Sequence, residues 1–389
     1  MTSKLYFEDC YIRNFDATVV SCEASGDLYK VVLDKTAFFP EGGGQRPDTG
    51  LIDTANVTDV QEIDGVVYHY TDKPLSVGFM CRCSIDWDTR FRRMQNHSGE
   101  HIVSGVVHSM YGYDNVGFHM DDDYVTVDFS GELTREQLDE IEDKANEAIY
   151  LNYKINCFFP APSTLDEYDY RSKLELTENV RLVEIENIDL CACCAPHLRT
   201  TAEVGIIKIL DFMRHRGGVR IVMKSGWDAL RDYREKYKSV YTISGLLSAK
   251  QGEISSAVER IINENDNIRR EFYQFRMSVA ENAKSNLSFR DDISYCIVNG
   301  FDADMMREVA NFGADNSKAC FVYSGSDTEG YSYIICSHSL DLRKLGKLHN
   351  DTLNGRGGGR DTMIQGKCSA DRDSIIAFIN SLSSGEFTL

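Results

Sequence analysis

Two histidines, His97 and His101, lie four residues apart in the stretch QNHSGEHIVSGVVH at residues 95–108. If this stretch is helical, both side chains point the same way from the helix and can share one metal ion. At about 100° per residue, the apolar side chains of the stretch form a stripe on roughly the opposite face. The two histidines are therefore predicted to face a ligand site and not the core beside their own helix.

A second pair of metal-ligating residues follows in DLCACCAPHLRTTAEVG, where three residues separate Cys193 from His197. Zinc takes about four nitrogen or sulfur ligands, and two such pairs favour zinc over calcium or magnesium. Pro196 stiffens the turn between the pair, which suits a loop that holds ligands. Cys191 and Cys194 crowd the same turn, and the sequence leaves open whether either competes with Cys193.

The residues from His97 to His101 also match the inverted zinc-protease pattern H-x-x-E-H, in which Glu100 would be the general base. So short a pattern often arises by chance. Protease chemistry would also leave Cys193 and His197 without a role. An inverted-motif metalloprotease is therefore an alternative hypothesis.

The composition is that of a globular protein, with 42% hydrophobic and 26% charged residues in 389. No apolar run approaches the ~18 residues that span a membrane, and MTSKLYFEDC lacks the apolar core of a signal peptide. We therefore expect a cytoplasmic protein without membrane segments. Its twelve cysteines are then expected as reduced thiols, some bound to metal, and not as disulfides.

The order of strand and helix patterns predicts an α+β protein of four domains. Short strand patterns such as ATVVSC and LYKVVLD predict a small β-barrel or sandwich in residues 1–87. Residues 88–225 combine a helix that begins near residue 88, a second helix and later strands, which predicts a mixed α/β domain. Residues 226–289 contain a long helix, and residues 290–389 return to an α/β pattern around the glycine cluster GRGGGR.

The long helix carries apolar residues at alternating spacings of three and four, which is the pattern of a packed seam. The members of this seam are Ile254, Val258, Ile261, Ile268, Phe272, Phe275 and Val279. The pattern fits a surface helix packed on its own domain. It fits equally a helical arm, so a homodimer through this arm or the C-terminal domain is one interpretation.

Two stretches of the chain have a positive local charge, although the net charge of the whole chain is negative. The net charge of −19 disfavours general nucleic-acid binding, because phosphates repel an acidic surface. Residues 207–238 nevertheless carry nine Lys/Arg against four Asp/Glu, and residues 341–370 carry six against three. Such patches can bind a specific RNA, although ordinary solvated charge explains them equally well.

Three ordered stretches resemble the editing domain of alanyl-tRNA synthetases and its freestanding relatives, the AlaX proteins. They are LDKTAFFPEGGGQRPDTG (33–50), MQNHSGEHIVSGVVH (94–108) and CCAPHLRTTAEVG (193–205). NGRGGGRDTMIQGKCSAD (354–371) resembles the glycine-rich stretch of the synthetase C-terminal domain, also found in DHH-type phosphoesterases. Because no aminoacylation core precedes residue 1, the resemblance implies the long form of AlaX, an editor without a synthetase.

The resemblance implies a translation-factor-like barrel at 1–87, the second additional domain of threonyl- and alanyl-tRNA synthetases at 88–225, a helical arm, and a DHHA1-like domain at 290–389. It places Thr36 and Gln45 on positions that line the aminoacyl pocket, with Thr36 recognising a serine hydroxyl. Zinc ligands are implied at His97, His101, Cys193 and His197. Residues implied to bind tRNA are Arg356, Gly357, Gly358, Gly359, Arg360 and Lys367.

The implied reaction is hydrolysis of the ester that joins a wrong amino acid, serine or glycine, to tRNA-Ala. A pocket for alanine rejects such small differences poorly, so a second hydrolytic site is the physical remedy. The chain departs from the family motif Cys-Gly-Gly-Thr-His, because it has Cys-Cys-Ala-Pro-His at 193–197. A non-catalytic tRNA-binding adaptor is the remaining alternative.

Overall fold

The structure, a computed structural model, describes residues 2–121, 124–172 and 180–383. The chain divides into two compact units, Met1–Thr242 and Ile243–Leu389. Both units contain helices and strands, so the mixed α and β composition expected from the sequence is confirmed. The finer division into four domains stays a prediction.

The first unit begins with eight strands and one short helix. Their bounds are β1 (Ser3–Lys4), α1 (Leu5–Glu8), β2 (Asn14–Ser25), β3 (Leu28–Leu33), β4 (Lys35–Thr36), β5 (Gly50–Ile52), β6 (Ala55–Ile63), β7 (Val66–Thr71) and β8 (Met80–Ile85). Six of these strands pair in the closed order β2–β3–β7–β6–β5–β8, and β8 pairs again with β2. Alternate residues face the interior, where Cys81 and Cys83 are buried as the alternation of their strand predicts.

Two helices and two antiparallel sheets follow in the same unit. Their elements are α2 (Trp87–Tyr111), β9 (Asn115–Met120), β10 (Val125–Phe129), α3 (Arg135–Leu151), β11 (Ile155–Phe158), β12 (Leu182–Ile185), β13 (Asp189–Ala192), β14 (Ile207–His215) and β15 (Gly218–Ser225). The sheets have the orders β14–β15–β10–β9 and β11–β12–β13. Ile102 of α2, Leu138 of α3 and Ile221 of β15 are fully buried in one common core.

The helix α2 begins where the last strand of the ring ends. Asp86 caps it, because its side chain accepts a hydrogen bond from the backbone N–H of Thr89. The cap thus lies slightly before the start predicted from the sequence. At the other end, Gly112 adopts a φ of 69°, a left-handed conformation that favours glycine and ends the helix.

The helix α4 (Gly226–Leu247) contains the point at which the two units divide. The elements that follow are α5 (Ile254–Ser285), β16 (Ser288–Arg290), β17 (Ile293–Val298), α6 (Ala303–Asn316), β18 (Ala319–Ser326), β19 (Gly330–Cys336), α7 (Leu342–Thr352), β20 (Gly355–Gly359), β21 (Met363–Cys368) and α8 (Arg372–Ser383). Their strands form one sheet in the order β16–β17–β18–β19–β21–β20. β17 and β18 pair in parallel, joined by α6, and the other neighbours are antiparallel.

The predicted seam of the long helix lies on α5, and much of it is exposed. The exposed fractions are 44% for Ile261, 65% for Ile268, 60% for Phe272 and 63% for Phe275. The seam is therefore an apolar stripe on the helix surface and not a buried contact. Among the residues that the structure describes, no helix is both long and apolar enough to cross a membrane.

Candidate metal centre

Four side chains predicted from the sequence as metal ligands lie together in the first unit. His97 and His101 come from α2, and Cys193 and His197 come from the segment after β13. One ligand atom of each residue lies within 4.8 Å of all the others. The Sγ atom of Cys193 is 3.6 Å from Nε2 of His97 and 3.4 Å from Nε2 of His197. This group of four can hold a metal ion.

The helix α2 reaches this position because two of its residues have no side chain. A Cβ on Gly99 would clash with the hydroxyl of Ser225 at the end of β15. A Cβ on Gly105 would be 2.6 Å from the backbone oxygen of Ile188 and 2.8 Å from Cβ of Asp189. Glycine inside a helix costs about 1 kcal/mol relative to alanine. The close approach of the neighbouring segments accounts for both glycines.

The second ring nitrogens of two histidines face neutral oxygen atoms. Nδ1 of His97 is 3.0 Å from Oε1 of Gln45, and Nδ1 of His197 is 3.2 Å from Oγ of Ser98. A metal-bound histidine usually donates its other N–H to such an oxygen, which orients the ring. When these Nδ1 atoms carry the protons, each Nε2 has a lone pair that can bind a metal beside Cys193.

The third histidine faces a charged group. Nδ1 of His101 is 3.5 Å from Oδ2 of Asp189. The Asp189 carboxylate also accepts two hydrogen bonds of 2.7 Å from Arg171, one on each oxygen. Burial by itself would raise the pKa of the Asp189 carboxyl, but the neighbouring His101 and the hydrogen bonds from Arg171 hold that pKa below its usual value. Asp189 is therefore an ionised carboxylate in a buried position.

The protonation states of the other ligands suit a metal ion. Burial lowers the pKa of His197 well below its usual value, and the neighbouring His101 and His97 lower it further. The ring is therefore neutral and has a lone pair that can bind a metal. Burial raises the pKa of the Cys193 thiol. A bound cation favours the thiolate and reverses this effect, because coordination deprotonates a thiol. The group thus offers three imidazoles and one sulfur that ionises on binding.

The structure distinguishes the three cysteines of the ligand loop. Of Cys191, Cys193 and Cys194, only Cys193 belongs to the group of four described above. Cys191 belongs to a second group, with His101 and Asp189, whose ligand atoms are within 4.8 Å of one another. Cys194 is exposed. The spacing preferred in the sequence, Cys-x3-His, is the one that the fold brings together.

Gln45 reaches His97 from a tight turn. Gly42 pairs with Gln45, and between them Gly43 and Gly44 have φ values of 60° and 78°, which favour glycine. Gln45 is 1% exposed, and its Nε2 has no hydrogen-bond partner in the part of the chain that the structure describes. Because Oε1 faces the N–H of His97, Nε2 is left as a buried donor.

Thr36 is fully buried and bonded to a histidine that was not predicted from the sequence. Its Oγ1 is 2.8 Å from Nε2 of His69 and accepts the backbone N–H of Phe38 at 3.1 Å. Nδ1 of His69 is 3.2 Å from the backbone oxygen of Val31, so Nδ1 carries the proton and Nε2 accepts the Thr36 hydroxyl. Burial lowers the pKa of His69 to about 4. The sequence signal that could have found His69 is its place in the strand VVYHYT, where it alternates with the inward residues Val67 and Thr71.

A buried ion pair connects the segment after Thr36 to α2. Arg90 donates to both carboxylate oxygens of Asp48 and, at 2.7 Å, to the backbone oxygen of Ala37. Asp48 also accepts the backbone N–H of Phe39 at 2.6 Å. Neither charged residue was predicted as a site residue, because no sequence pattern pairs an aspartate with an arginine so far along the chain. Together they hold the turn that carries Gln45.

Glu100, the general base of the protease pattern, belongs to a buried network. Its Oε1 accepts a hydrogen bond of 2.5 Å from the hydroxyl of Ser104 and another from the amide of Asn115. Its Oε2 lies 4.0 Å from Nε2 of His101. The carboxylate is therefore close to the candidate metal centre, as the pattern H-x-x-E-H requires.

The glycine cluster of the second unit is a strand and not a loop. β20 pairs with β21 at the edge of the sheet, where Arg356 lies opposite Lys367. A Cβ on Gly357 would clash with the hydroxyl of Tyr333, which donates a 2.7 Å hydrogen bond to Asn350. Packing therefore explains this glycine. All six residues predicted to bind tRNA are exposed: Arg356, Gly357, Gly358, Gly359, Arg360 and Lys367.

Comparison with known protein families gives two matches. Residues 10–89 match the class II (A) tRNA synthetases, and residues 180–226 match the threonyl and alanyl tRNA synthetase second additional domain. The second match includes Cys193 and His197. The crystal structure of the C-Ala domain from Aquifex aeolicus alanyl-tRNA synthetase matches 25% of this chain and 98% of its own, at 18% identity and a TM-score of 0.23. That score is too low to support an argument about the fold.

Two relatives match nearly the whole length of this chain. The alanyl-tRNA editing protein AlaX-L of Pyrococcus horikoshii is 27% identical over 96% of this chain and 96% of its own length. The alanine–tRNA ligase of Ignicoccus hospitalis is 28% identical over 98% of this chain, but the match covers only 43% of that ligase. The resemblance recognised in the sequence is thus confirmed, and this chain is a relative of the long AlaX editing proteins and of the corresponding part of alanine–tRNA ligases.

Proposed function

We propose that this chain is a trans-editing hydrolase that removes serine, and also glycine, from mischarged tRNA-Ala. The observation that carries the proposal is the group of His97, His101, Cys193 and His197 within 4.8 Å. This group lies in a chain whose relative over nearly its whole length is named as an alanyl-tRNA editing protein. The relatives named as alanine–tRNA ligases support tRNA-Ala as the partner.

The donor set supports zinc as the bound ion. Neutral imidazoles and one thiolate are ligands that zinc prefers, whereas calcium and magnesium prefer oxygen atoms. A bound zinc ion supplies a Lewis acid that polarises the carbonyl of the ester. The residues that would hold this ion are His97, His101, Cys193 and His197.

Two polar residues of the chain suit the aminoacyl end of the substrate. An aminoacyl ester is already activated, so positioning supplies much of the rate increase. Gln45 has a buried N–H donor without a partner in the described residues, and such a donor can stabilise charge that develops on the carbonyl oxygen. The hydroxyl of Thr36 donates a hydrogen bond to Nε2 of His69, so its oxygen can accept a hydrogen bond from the hydroxyl of a serine.

The second unit is proposed to hold the tRNA. Arg356 of the edge strand β20, Lys367 of the neighbouring β21 and Arg360 just after β20 are all exposed, in a chain whose net charge is −19. Phosphates bind an acidic protein where its local field is positive. The glycine-rich edge also allows close approach of the RNA backbone to the strand.

Deacylation assays with purified protein test the proposal. The rates for Ser-, Gly- and Ala-tRNA-Ala are compared, and release of serine faster than alanine is expected. His101→Ala is expected to abolish this activity together with metal binding. His108→Ala is the matched control, because His108 lies on the same helix but is exposed. Equal and uncatalysed release from all three substrates would refute the proposal.

Glu100 favours one second candidate, an inverted-motif metalloprotease, because its carboxylate is 4.0 Å from Nε2 of His101. Cys193→Ala separates the two candidates. The protease pattern does not require Cys193, whereas the editing site loses a metal ligand. A non-catalytic tRNA-binding adaptor would instead bind tRNA-Ala tightly and leave the ester intact in the same assays.

A further inference from the structure

The environment of His101 differs from that of the other two histidines in the group of four. Nδ1 of His97 and of His197 face neutral oxygens, from an amide and a hydroxyl. Nδ1 of His101 faces the carboxylate of Asp189 at 3.5 Å. Within the described residues this buried nitrogen makes no hydrogen bond. A buried polar atom without a hydrogen-bond partner is rare in proteins, so the placement of Asp189 beside Nδ1 of His101 needs an explanation.

Asp189 is held so that its carboxylate cannot turn away from His101. Arg171 donates to both of its oxygens at 2.7 Å. The backbone of Arg171 is itself fixed beside β13, because its N–H donates to the oxygen of Leu190 at 2.8 Å and its own oxygen accepts from Ala192 at 2.9 Å. The side chain of Asp189 is 3% exposed. The carboxylate is thus fixed in place before any ligand binds.

The helix is shaped to let this carboxylate approach. Gly105 lies one turn after His101, and a Cβ there would meet the backbone oxygen of Ile188 at 2.6 Å and Cβ of Asp189 at 2.8 Å. Any larger residue would push β13 away from α2. The glycine in the middle of a helix, which costs about 1 kcal/mol, is explained by this contact.

We infer that Asp189 is a positioning residue that fixes His101 as the Nδ1–H tautomer, with Nε2 directed at the metal, and that Arg171 holds Asp189 for this purpose. The inference rests on the metal centre of the proposed function. A carboxylate behind a metal-bound imidazole sets its tautomer and makes the other nitrogen a stronger donor. Loss of such a partner typically weakens metal binding by about 10–100-fold.

Zinc affinity measured by competition with a chromophoric chelator tests this role in the full chain. Asp189→Asn removes the charge at constant volume and is expected to weaken zinc binding by about 10–100-fold. The chain offers a matched control, because Asp128 is held by Arg220 through two bonds of 2.6 and 2.7 Å, as Asp189 is held by Arg171. Asp128→Asn is expected to leave the zinc affinity unchanged.

A second readout reports the tautomer itself and does not depend on catalysis. Nitrogen NMR of ¹⁵N-histidine protein, with and without zinc, should place the proton of His101 on Nδ1 in the wild type and show a mixture of tautomers in Asp189→Asn. Should Asp189→Asn fold poorly, Arg171→Lys and Gly105→Ala are expected to weaken zinc binding in the same direction. Wild-type zinc affinity and an unchanged tautomer in Asp189→Asn would overturn the inference. A wild-type protein that binds zinc but releases no amino acid would refute the proposed function and leave the inference standing.

Discussion

The amide oxygen of Gln45 lies 3.0 Å from Nδ1 of His97, although 52 residues separate them in the sequence. This contact connects the glycine turn between β4 and β5 to a candidate metal ligand on α2. The same amide directs its N–H groups away from His97, where they have no partner among the described residues. We therefore propose two roles for Gln45, to orient the candidate metal ligand His97 and to donate a hydrogen bond to the substrate.

Two substitutions separate these roles. Gln45→Glu keeps an acceptor for His97 but removes the N–H donor, so zinc binding should persist while deacylation of Ser-tRNA-Ala falls by roughly 100-fold, as for the loss of an oxyanion donor. Gln45→Leu removes both groups and should also weaken zinc binding by about tenfold or more. Zinc titration and single-turnover deacylation measure the two effects. Full activity of Gln45→Glu would exclude the donor role.

The choice of sulfur can be tested by metal content. Wild-type protein is expected to bind about one zinc ion per chain, since the four ligands make one site. Cys193→Ser should lose most of this zinc, whereas Cys191→Ser and Cys194→Ser should keep it. Elemental analysis after dialysis against a weak chelator measures the content. Loss of zinc in Cys191→Ser alone would move the site to the group that contains Asp189.

Thr36→Val tests recognition of serine and carries a stability cost. Valine leaves Nε2 of His69 and the N–H of Phe38 without their partner, and each buried unpaired group costs about 1–3 kcal/mol. Among molecules that remain folded, hydrolysis of Ser-tRNA-Ala should fall by roughly tenfold or more, and that of Gly-tRNA-Ala far less. Thr36→Ser is the control and should restore both properties. Equal losses on both substrates would show that Thr36 serves the fold and not specificity.

His69 should make the first unit sensitive to acid. In the unfolded chain His69 titrates near 6.5, whereas burial lowers its pKa to about 4 in the folded chain. Between these values the unfolded state binds a proton that the folded state does not. The free energy of unfolding should therefore fall as pH drops from 6.5 to 4, by roughly 3 kcal/mol in total.

His69→Gln should remove most of this pH dependence, whatever its effect at neutral pH. Urea unfolding at pH 7, 5 and 4 measures it. Tryptophan fluorescence reports the first unit, because both tryptophans of the chain, Trp87 and Trp227, lie in it. An identical pH dependence in wild type and His69→Gln would contradict the prediction.

The basic edge of the second unit can be tested by charge reversal. The double substitution Arg356→Glu and Lys367→Glu changes two residues that face each other across β20 and β21. The affinity for tRNA-Ala should fall and its dependence on salt should become shallower, because fewer phosphate contacts release fewer ions. Lys318→Glu is a control elsewhere in the same unit. Unchanged salt slopes would mean that this edge does not hold tRNA, and zinc content should be unaffected in all variants.

The sequence by itself predicted the four side chains that the structure brings together in the candidate metal centre. A helical repeat determines that His97 and His101 share a face, and a short turn determines that Cys193 and His197 stay together, because both relations are local. The ordered motifs also sufficed to recognise the relatives that the comparisons found. The burial of Cys81 and Cys83 agrees with the alternation of side chains along β8, which is again a local property.

Only the tertiary structure decided which residues support those ligands. Gln45, Asp189 and Ser98 reach their histidines from a turn, a strand and a helix, and no spacing in the sequence predicts those contacts. The same holds for His69, whose bond to Thr36 depends on how the strand ring closes. Likewise, the repeat of glycines in GRGGGR resembles a loop, but pairing with β21 makes it a strand. Local periodicity determines the elements, whereas contacts between distant segments depend on packing that only the complete fold specifies.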